Sequence, residues 1–242
     1  MPESILPLQA QDLRYQVNGR ALIDGISFAV DAGSFTVVLG PNGAGKSLLL
    51  RLLHGLIEPT AGTIAWKGAA SAREGALRLR QAMVFQRPVL LRRSVEANIR
   101  FALKWLGVPR AGRGAMVDAA LERAGLADKR RVPARLLSAG EQQRLVVARA
   151  LAGRPDIMFL DEPTASLDPA SVLQIEALLA EANRAGTAVV LVTHDIGQAR
   201  RLGREIVFVH RGRVIERGPA ERFFDRPDTL AARAYLEGEI IV

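Results

Sequence analysis

The sequence predicts an α/β fold, and three observations lead to that prediction. Short apolar runs alternate with longer amphipathic stretches, the pattern of a largely buried sheet whose strands are joined by helices. Most of the apolar runs end in polar residues, which is typical of sheets that bind ligands at their carboxyl edge. A glycine-rich loop lies between one such run and a helical stretch. We therefore expect one α/β domain over residues 1–242.

The strands can be predicted in order along the chain. Antiparallel strands are expected first, because the segment from Tyr15 contains the pair Asn18 and Gly19, a strong signal for a two-residue hairpin turn. Later apolar runs are predicted to be buried strands. They cover residues 36–40, 82–85, 157–162, 187–195 and 205–210.

Between residues 94 and 124 the pattern changes to helices. One set of apolar residues at helical spacing begins at Val95 and a second begins at Met116, with Pro109 and Gly112 expected to break the chain between them. We therefore predict a helical insert in the α/β core. The predicted division is a helical subdomain over about residues 87–153 and a core formed by about residues 1–86 and 154–242.

Composition excludes several classes of protein. The chain is 49% hydrophobic and 24% charged, which argues against a disordered or fibrous chain. It contains no cysteine, so it has neither a disulfide framework nor a thiolate metal site. The sequence lacks an apolar run of the length that crosses a bilayer, and its start lacks the features of a signal peptide. We expect a soluble protein of the cytoplasm.

The net charge of +8 is concentrated in one region. Residues 73–135 contain fifteen basic and five acidic side chains, whereas the segments on either side are close to neutral. A regional excess of this kind indicates an acidic partner, which could be nucleic acid or a membrane surface.

The segment from Gly40 to Ser47 reads GPNGAGKS and matches the phosphate-loop pattern G-x-x-x-x-G-K-[ST] in its required strand–loop–helix context. Its glycines allow successive backbone N–H groups and the helix N-terminus to point at phosphate oxygens. Lys46 is expected to reach the β and γ phosphates, and the Ser47 hydroxyl to ligate Mg²⁺. The loop alone does not separate an ATPase from a GTPase, a kinase or a motor.

A second motif ends the apolar run at residues 157–160. Asp161 and Glu162 follow it directly, so a buried strand is expected to deliver two carboxylates at its carboxyl end. Asp161 is expected in the Mg²⁺ shell, and Glu162 is expected to polarise the attacking water. A general base beside the metal ligand favours hydrolysis over transfer to a hydroxyl substrate.

Between these motifs lies LSAGEQQR, residues 137–144, in which Ser138 and Glu141 fit a helix capping box. Together with the phosphate loop, this segment resembles the signature of ABC-type ATPases, usually written LSGGQ. The remaining motifs of that family stand at matching positions. Gln86 resembles the Q-loop glutamine and His194 the switch histidine. SLD at residues 166–168 resembles the D-loop.

The resemblance covers essentially the whole chain and implies a P-loop NTPase fold of the ABC cassette type. That fold has a mixed-sheet core, an antiparallel β edge subdomain and a helical insert. Tyr15 resembles the family's adenine-stacking aromatic, although a hairpin core residue would also fit. The nucleotide-binding residues implied are Tyr15, Gly40, Pro41, Asn42, Gly43, Ala44, Gly45, Lys46, Ser47, Leu48, Ser138, Ala139, Gly140 and Glu141. The catalytic residues implied are Lys46, Gln86, Glu162 and His194, and the Mg²⁺ ligands implied are Ser47, Gln86 and Asp161.

The chain departs from the family pattern at three positions. Ala139 replaces the first glycine of the signature, Glu141 replaces its glutamine, and Leu48 stands where a second hydroxyl residue commonly follows the loop serine. Ala139 adds one methyl group to the approach of the backbone to phosphate. Glu141 places a carboxylate near phosphate, which is unfavourable unless it faces the capping N–H groups.

The resemblance also implies partners. In this family two cassettes close head to tail over two ATP molecules, so a homodimer is implied in which Ser138, Ala139 and Gly140 act on the partner's nucleotide. The chain is expected at the cytoplasmic face of the membrane, bound to transmembrane permease subunits that meet a solute-binding protein. Residues 86–103, which read QRPVLLRRSVEANIRFAL, are expected to dock the permease through an apolar and cationic surface; a solvated basic loop is the alternative.

The sequence specifies the cargo less closely than the fold or the nucleotide site. FQRPVLLRRSV together with LSAGEQQR is similar to cassettes of importers for tungstate or a related oxyanion. A polar amino acid is the main alternative cargo. A soluble ABC ATPase acting on nucleic acid ranks lower, because such relatives usually have a long coiled-coil insertion or two linked cassettes; no nucleic acid is expected.

Overall fold

The computed structural model describes residues 4–67 and 75–239; the two ends of the predicted domain and residues 68–74 lie outside the described residues. Strands and helices alternate as the sequence predicts. The strands are β1 (Leu8–Val17), β2 (Arg20–Val30), β3 (Phe35–Leu39), β4 (Ala61–Trp66), β5 (Gln81–Val84), β6 (Ile157–Asp161), β7 (Ala188–Val192), β8 (Glu205–His210) and β9 (Arg213–Pro219). The helices are α1 (Lys46–His54), α2 (Gly75–Arg78), α3 (Val95–Trp105), α4 (Arg110–Arg123), α5 (Ala139–Leu151), α6 (Pro169–Arg184), α7 (Ile196–Leu202), α8 (Ala220–Asp225) and α9 (Leu230–Leu236).

The larger sheet has the strand order β5-β6-β7-β3-β8-β9. Its first five strands are parallel, and β9 runs antiparallel to β8 at the edge. Every residue of β3, β6 and β7 is buried, because helices and the second sheet cover both faces, as parallel strands require. The predicted α/β core with a mixed sheet is confirmed.

The smaller sheet is antiparallel, with the order β2-β1-β4. Asn18 and Gly19 form the turn between β1 and β2 with φ values of 50° and 77°, the positive values that a tight hairpin turn needs. The buried side chains of this sheet share one hydrophobic cluster with α1 and with the larger sheet, and Trp66 meets the Phe159 ring edge-on at 6.5 Å. The predicted antiparallel edge subdomain is therefore present and covers one face of the core.

A separate hydrophobic cluster forms the interior of the helical insert. It joins α3, α4 and α5 through residues such as Val95, Leu121 and Leu145. The predicted break at Gly112 is wrong, because Pro109 caps α4 and Gly112 lies inside that helix. Glycine in an exposed helical turn costs only about 1 kcal/mol and does not end a helix by itself. The subdomain boundaries at residues 87 and 153 stay predictions.

The strand predicted over residues 187–195 is too long at its carboxyl end. β7 ends at Val192, and the next residues turn because the Asp195 N–H donates to Thr193 Oγ1 and the Asp195 carboxylate caps α7 at Gln198 N. Side-chain hydrogen bonds of this kind compete with strand pairing. No helix in the described part of the chain has the length and hydrophobicity needed to cross a membrane.

Asn183 of α6 fixes the starts of two central strands. Its buried amide Nδ2 donates to the carbonyls of Gly33 and Ser34, just before β3, and of Thr187, just before β7. These bonds tie α6 to the backbone at the starts of β3 and β7; the Ser34 carbonyl also accepts from Val189 N at 2.9 Å.

We predict that Asn183→Ala lowers the free energy of unfolding by about 1–3 kcal/mol, because the change removes three hydrogen bonds, of which the one to the Thr187 carbonyl is buried. Asn183→Asp should destabilise more, since it turns a carboxylate oxygen toward three acceptors. Urea unfolding measures both, with the exposed Arg184→Ala as the matched control, which should change stability by less than about 0.5 kcal/mol. Equal stability of the Asn183 variants and the control would exclude this role.

Candidate active site

The loop between β3 and α1 has a backbone that only glycine permits at two points. Gly40 has φ of 148°, and a Cβ there would lie 2.0 Å from the carbonyl oxygen of Val209. Gly45 has φ of 101°, and a Cβ there would lie 2.9 Å from Ile23 Cδ1. In contrast, a Cβ on Gly43 would meet nothing within 4 Å. The loop is thus packed tightly at its ends and open at its middle, the shape that a phosphate cradle needs.

Lys46 folds back across this loop. Its buried Nζ donates to the carbonyls of Gly40 at 2.7 Å and Pro41 at 3.0 Å. Burial lowers the pKa of Lys46, and the nearby carboxylates of Glu162 and Asp161 act in the opposite direction. The ammonium is therefore held by the carbonyls of the first two loop residues, where a phosphate oxygen can replace them as its partner.

The Ser47 hydroxyl and the Asp161 carboxylate, which are far apart in sequence, lie next to each other in the structure. The Ser47 hydroxyl donates to Asp161 Oδ1 at 2.6 Å. Burial raises the pKa of Asp161, and the bond from Ser47 offsets part of that effect. The described residues include no group of three or more His, Asp or Glu side chains that could hold a metal ion. A hydroxyl and a carboxylate fit Mg²⁺, which takes one or two protein oxygens and fills its shell with phosphates and water.

Glu162 leaves β6 in a strained conformation. Its φ is 46°, in the left-handed region that side chains other than glycine rarely adopt, and its N–H donates to the carbonyl of Val192 at 3.0 Å. The turn places Glu162 Oε2 3.2 Å from Nδ1 of His194. Two groups predicted to act in hydrolysis are therefore in direct contact.

A cleft of about 560 Å³ brings together six of the predicted site residues. Its walls include Gly40, Pro41, Asn42, Gln86, Glu162 and His194. A second pocket, of about 340 Å³, is lined by Leu22, by Asn42 to Leu48 and again by Glu162. We call these the cleft and the loop pocket. Because Glu162 lines both, they are adjacent parts of one site.

The structure adds two residues that the sequence did not indicate. Tyr235 of α9 lines the cleft beside Gln86 and His194, although nearly two hundred residues separate it from the loop. Gln143 of α5 is buried and donates through Nε2 to the carbonyl of Phe85 at 3.3 Å, which fixes the backbone directly before Gln86. No local pattern marks either residue, since each acts through a contact distant in sequence.

Tyr15 lies outside the walls of the cleft and the loop pocket. It is half-buried on β1, packs against the cluster under the smaller sheet, and pairs across the hairpin with Ile23. A Cβ on Gly45 would touch Ile23, the residue of β2 that pairs with Tyr15. Tyr15 is therefore separated from the phosphate loop by one strand. Its stacking on adenine stays a prediction.

The segment from Ser138 to Glu141 lines neither the cleft nor the loop pocket. It begins α5 with a complete capping box: Ser138 Oγ accepts from Glu141 N, and Glu141 Oε2 accepts from Ser138 N at 2.9 Å. Gly140 packs so closely on α6 that a Cβ would lie 2.1 Å from Ser171 Oγ. Within one chain, the segment is separate from the loop.

The Glu141 carboxylate faces the N-terminus of its own helix and forms an ion pair. Lys129 Nζ contacts Glu141 Oε1, and the two side chains are 38% and 16% exposed. The bond from Lys129, followed by that from the Ser138 backbone, holds the pKa of Glu141 below its usual range. The substitution of glutamate for the usual glutamine is thus compensated within the chain.

Comparisons with known proteins identify the family of the chain. Residues 23–165 match the family model described as ABC transporter. The chain is 40% identical over 240 residues to the phosphate import ATP-binding protein PstB 2 of Natronomonas pharaonis, covering 93% of this chain and 84% of that protein. It is 39% identical over 237 residues to the methionine import ATP-binding protein MetN of Caulobacter vibrioides, covering 93% and 71%. The structure of cbiO1 from Clostridium perfringens, part of the ABC transporter complex cbiONQ, aligns with a TM-score of 0.83 at 31% identity, over 93% of this chain and 92% of that one.

We predict that Lys129→Met and Glu141→Gln each lower the free energy of unfolding by about 0.5–1.5 kcal/mol. The double variant should lose little more than either single one, because both changes remove the same contact. A double-mutant cycle by urea unfolding measures this coupling.

The stabilisation should also depend on pH. Because the folded state lowers the pKa of Glu141, the advantage of the wild type over Glu141→Gln is present at neutral pH and disappears as the pH falls below about 4. Additive single effects, or an advantage that persists at low pH, would contradict the ion pair.

Proposed function

The chain belongs to the ABC transporter family and is an ATPase of that family, and we propose that it powers the import of an oxyanion through a separate membrane permease. The meeting of the phosphate loop with the Glu162 and His194 pair in one cleft carries the proposal. A phosphate-binding loop can hold ATP, and a carboxylate positioned beside it by a histidine can activate water for its hydrolysis.

In the proposed bound state, backbone N–H groups from Gly43 to Ser47 and the Lys46 ammonium hold the β and γ phosphates of ATP. Ser47 and Asp161 ligate Mg²⁺, with Gln86 as a further ligand. When bound, Mg²⁺ neutralises negative charge on the phosphates that are being separated. The 2.6 Å approach of the Ser47 and Asp161 oxygens supports this assignment, because both can turn toward one cation.

Glu162 acts as the general base. Its carboxylate takes a proton from water, whose oxygen forms a bond to the γ phosphorus while the bond to ADP breaks. His194 orients the carboxylate through the 3.2 Å contact between Nδ1 and Oε2. The left-handed backbone at Glu162 aims the side chain into the cleft rather than along the strand, which supports a positioned base.

The functional unit that we propose is a homodimer. One chain has a phosphate loop and a signature segment at Ser138–Gly140, and within that chain the segment lines neither pocket. A second copy placed head to tail would bring its Ser138 hydroxyl and the N-terminus of its α5 to the γ phosphate. Hydrolysis would then remove the group that holds the two copies together.

The proposed permease surface is formed by residues 86–103, which begin at Gln86. Val89 is 61% exposed, and its carbonyl accepts from Arg149 Nη2 at 2.7 Å. The buried Asn98 side chain of α3 accepts from Leu91 N at 2.9 Å, which ties the turn before α3 to that helix. A partner that presses on this exposed apolar turn would therefore act next to Gln86 in the cleft. Such docking would hold the chain at the cytoplasmic face of the membrane.

For the cargo we propose an oxyanion, with tungstate as the first candidate. The resemblance of FQRPVLLRRSV and LSAGEQQR to oxyanion importers and the likeness to a phosphate import protein support this class. The likeness to a methionine import protein keeps an amino acid as the second candidate. Calorimetry with the solute-binding protein of the same transporter separates them, by titration with tungstate, phosphate, methionine and glutamine.

The positive charge of residues 73–135 and the exposed aromatic side chains of Phe101 and Trp105 favour one other candidate, an ATPase that acts on nucleic acid. Stimulation of ATP hydrolysis by the permease in nanodiscs, without stimulation by RNA or DNA, would support transport. The opposite pattern would exclude it.

We predict that Glu162→Gln retains ATP binding and lowers kcat by about 10²- to 10⁴-fold, because the amide cannot take the proton. The variant should also accumulate as a dimer with ATP, which size-exclusion chromatography detects. Glu221→Gln, an exposed change on α8, is the matched control and should leave kcat unchanged. Wild-type turnover in Glu162→Gln would exclude Glu162 as the base.

A further inference from the structure

A second side-chain contact joins the two segments that carry Glu162 and His194. Glu162 and Thr164 follow β6, whereas His194 and Gln198 follow β7. Beside the 3.2 Å contact between Glu162 Oε2 and His194 Nδ1, the Thr164 hydroxyl donates to Gln198 Oε1 at 3.3 Å and accepts from Gln198 Nε2 at 3.1 Å. The His194 side chain is 59% exposed, but Gln198 is fully buried. The two segments are therefore joined by a catalytic pair at the surface and by an uncharged pair in the interior.

A buried ion pair fixes the amide of Gln198. Glu176 of α6 is only 5% exposed, and its Oε1 accepts from Gln198 Nε2 at 3.2 Å. Arg201 of α7 donates to both oxygens of the same carboxylate, at 2.6 and 2.9 Å. Because a carboxylate can only accept hydrogen bonds, it holds the Nε2 side of the amide toward itself. The Gln198 amide thus meets the Thr164 hydroxyl in one defined orientation.

Short connections join this interior contact to the catalytic groups. Only Pro163 lies between Glu162 and Thr164, and its ring fixes its own φ angle. Asp195, which directly follows the histidine, caps α7 by accepting from Gln198 N at 2.9 Å. A movement of the Thr164 or Gln198 side chain would therefore shift the backbone of the catalytic pair, because no flexible loop intervenes.

We propose that Thr164 and Gln198 are positioning residues for ATP hydrolysis, which hold Glu162 and His194 at the separation that their contact needs. The inference rests on the proposed hydrolysis at the same site. Neither Thr164 nor Gln198 lines the loop pocket, whereas Thr164 lines a neighbouring pocket together with Glu162 and His194. Loss of the interior contact should therefore lower turnover and leave ATP binding largely intact.

The first test compares two variants of Thr164. Thr164→Val keeps the shape of the side chain and removes the hydroxyl, so we expect kcat to fall about 2- to 10-fold, the rate equivalent of one hydrogen bond. The KM for ATP should stay within about twofold. Thr164→Ser keeps the hydroxyl and should retain kcat within about twofold of the wild type. Thr63→Val, the same change at an exposed position on β4, is the matched control and should leave kcat unchanged.

Turnover is counted per nucleotide-binding site, by titration of each variant with a fluorescent ATP analogue. A fraction of misfolded protein then lowers the number of sites and leaves kcat per site unchanged. Gln198→Met removes the contact from the other side, while Glu176 keeps both bonds from Arg201. It should lower kcat as Thr164→Val does, and the double variant should be little slower than either single one.

A cycle with Glu162→Gln tests whether Thr164 acts through the base. Single-turnover hydrolysis of radiolabelled ATP measures the slow rates. If Thr164 positions Glu162, Thr164→Val should slow the wild type about 2- to 10-fold but change the rate of Glu162→Gln by less than about twofold, because the base is already absent.

The outcomes separate this inference from the function on which it rests. A wild-type kcat per site in Thr164→Val overturns the positioning role alone. Equal losses in Thr164→Ser and Thr164→Val also overturn it, because the hydroxyl is then not the group that acts. An undiminished effect of Thr164→Val in the Glu162→Gln background excludes action through the base. Wild-type protein without ATPase activity overturns the proposed function itself.

Discussion

The site depends on the register of three neighbouring parallel strands. Val192 of β7 lies level with Val38 of β3 on one side and with Asp161 of β6 on the other. Parallel strands end at the same edge, so the residues that follow this row must meet. The phosphate loop, Glu162 and His194 are those residues. A slip of one residue in either pairing would turn every side chain of a strand to the other face and separate Ser47 from Asp161.

The register is maintained by burial on both faces of the sheet. One face packs on the smaller antiparallel sheet and α1, and the other packs on the helices that follow β5. Contacts made at the ends of the strands then place the reactive groups. The backbone at Gly40 leaves no room for a Cβ beside the Val209 carbonyl, and Glu162 has a left-handed conformation with its N–H bonded to the Val192 carbonyl. Tyr235 of α9 lines the cleft. The geometry of the proposed site is thus set largely by contacts of the backbone.

Local patterns were sufficient to predict the features that depend on neighbouring residues. The hairpin turn at Asn18, the buried strands and the phosphate loop follow from periodicity and glycine spacing, whereas His194 was indicated only by the family resemblance. Tyr235, Gln143 and Asn183 could not be found in this way, because the residues near each of them in the structure are far away in sequence. The helix break predicted at Gly112 is wrong for a related reason. The rest of α4 packs on α3 and α5, so the helix tolerates one residue of low helix propensity.

The central claim is that a complete site needs two chains, and a mixing experiment tests it most directly. Lys46→Met disables the loop and Ser138→Arg blocks the signature, so either homodimer has a defect in both sites. Equal mixing should give heterodimers with one doubly altered and one intact site, and the mixture should regain roughly a quarter of wild-type ATPase activity. Activity that stays at the level of the separate variants would contradict the claim.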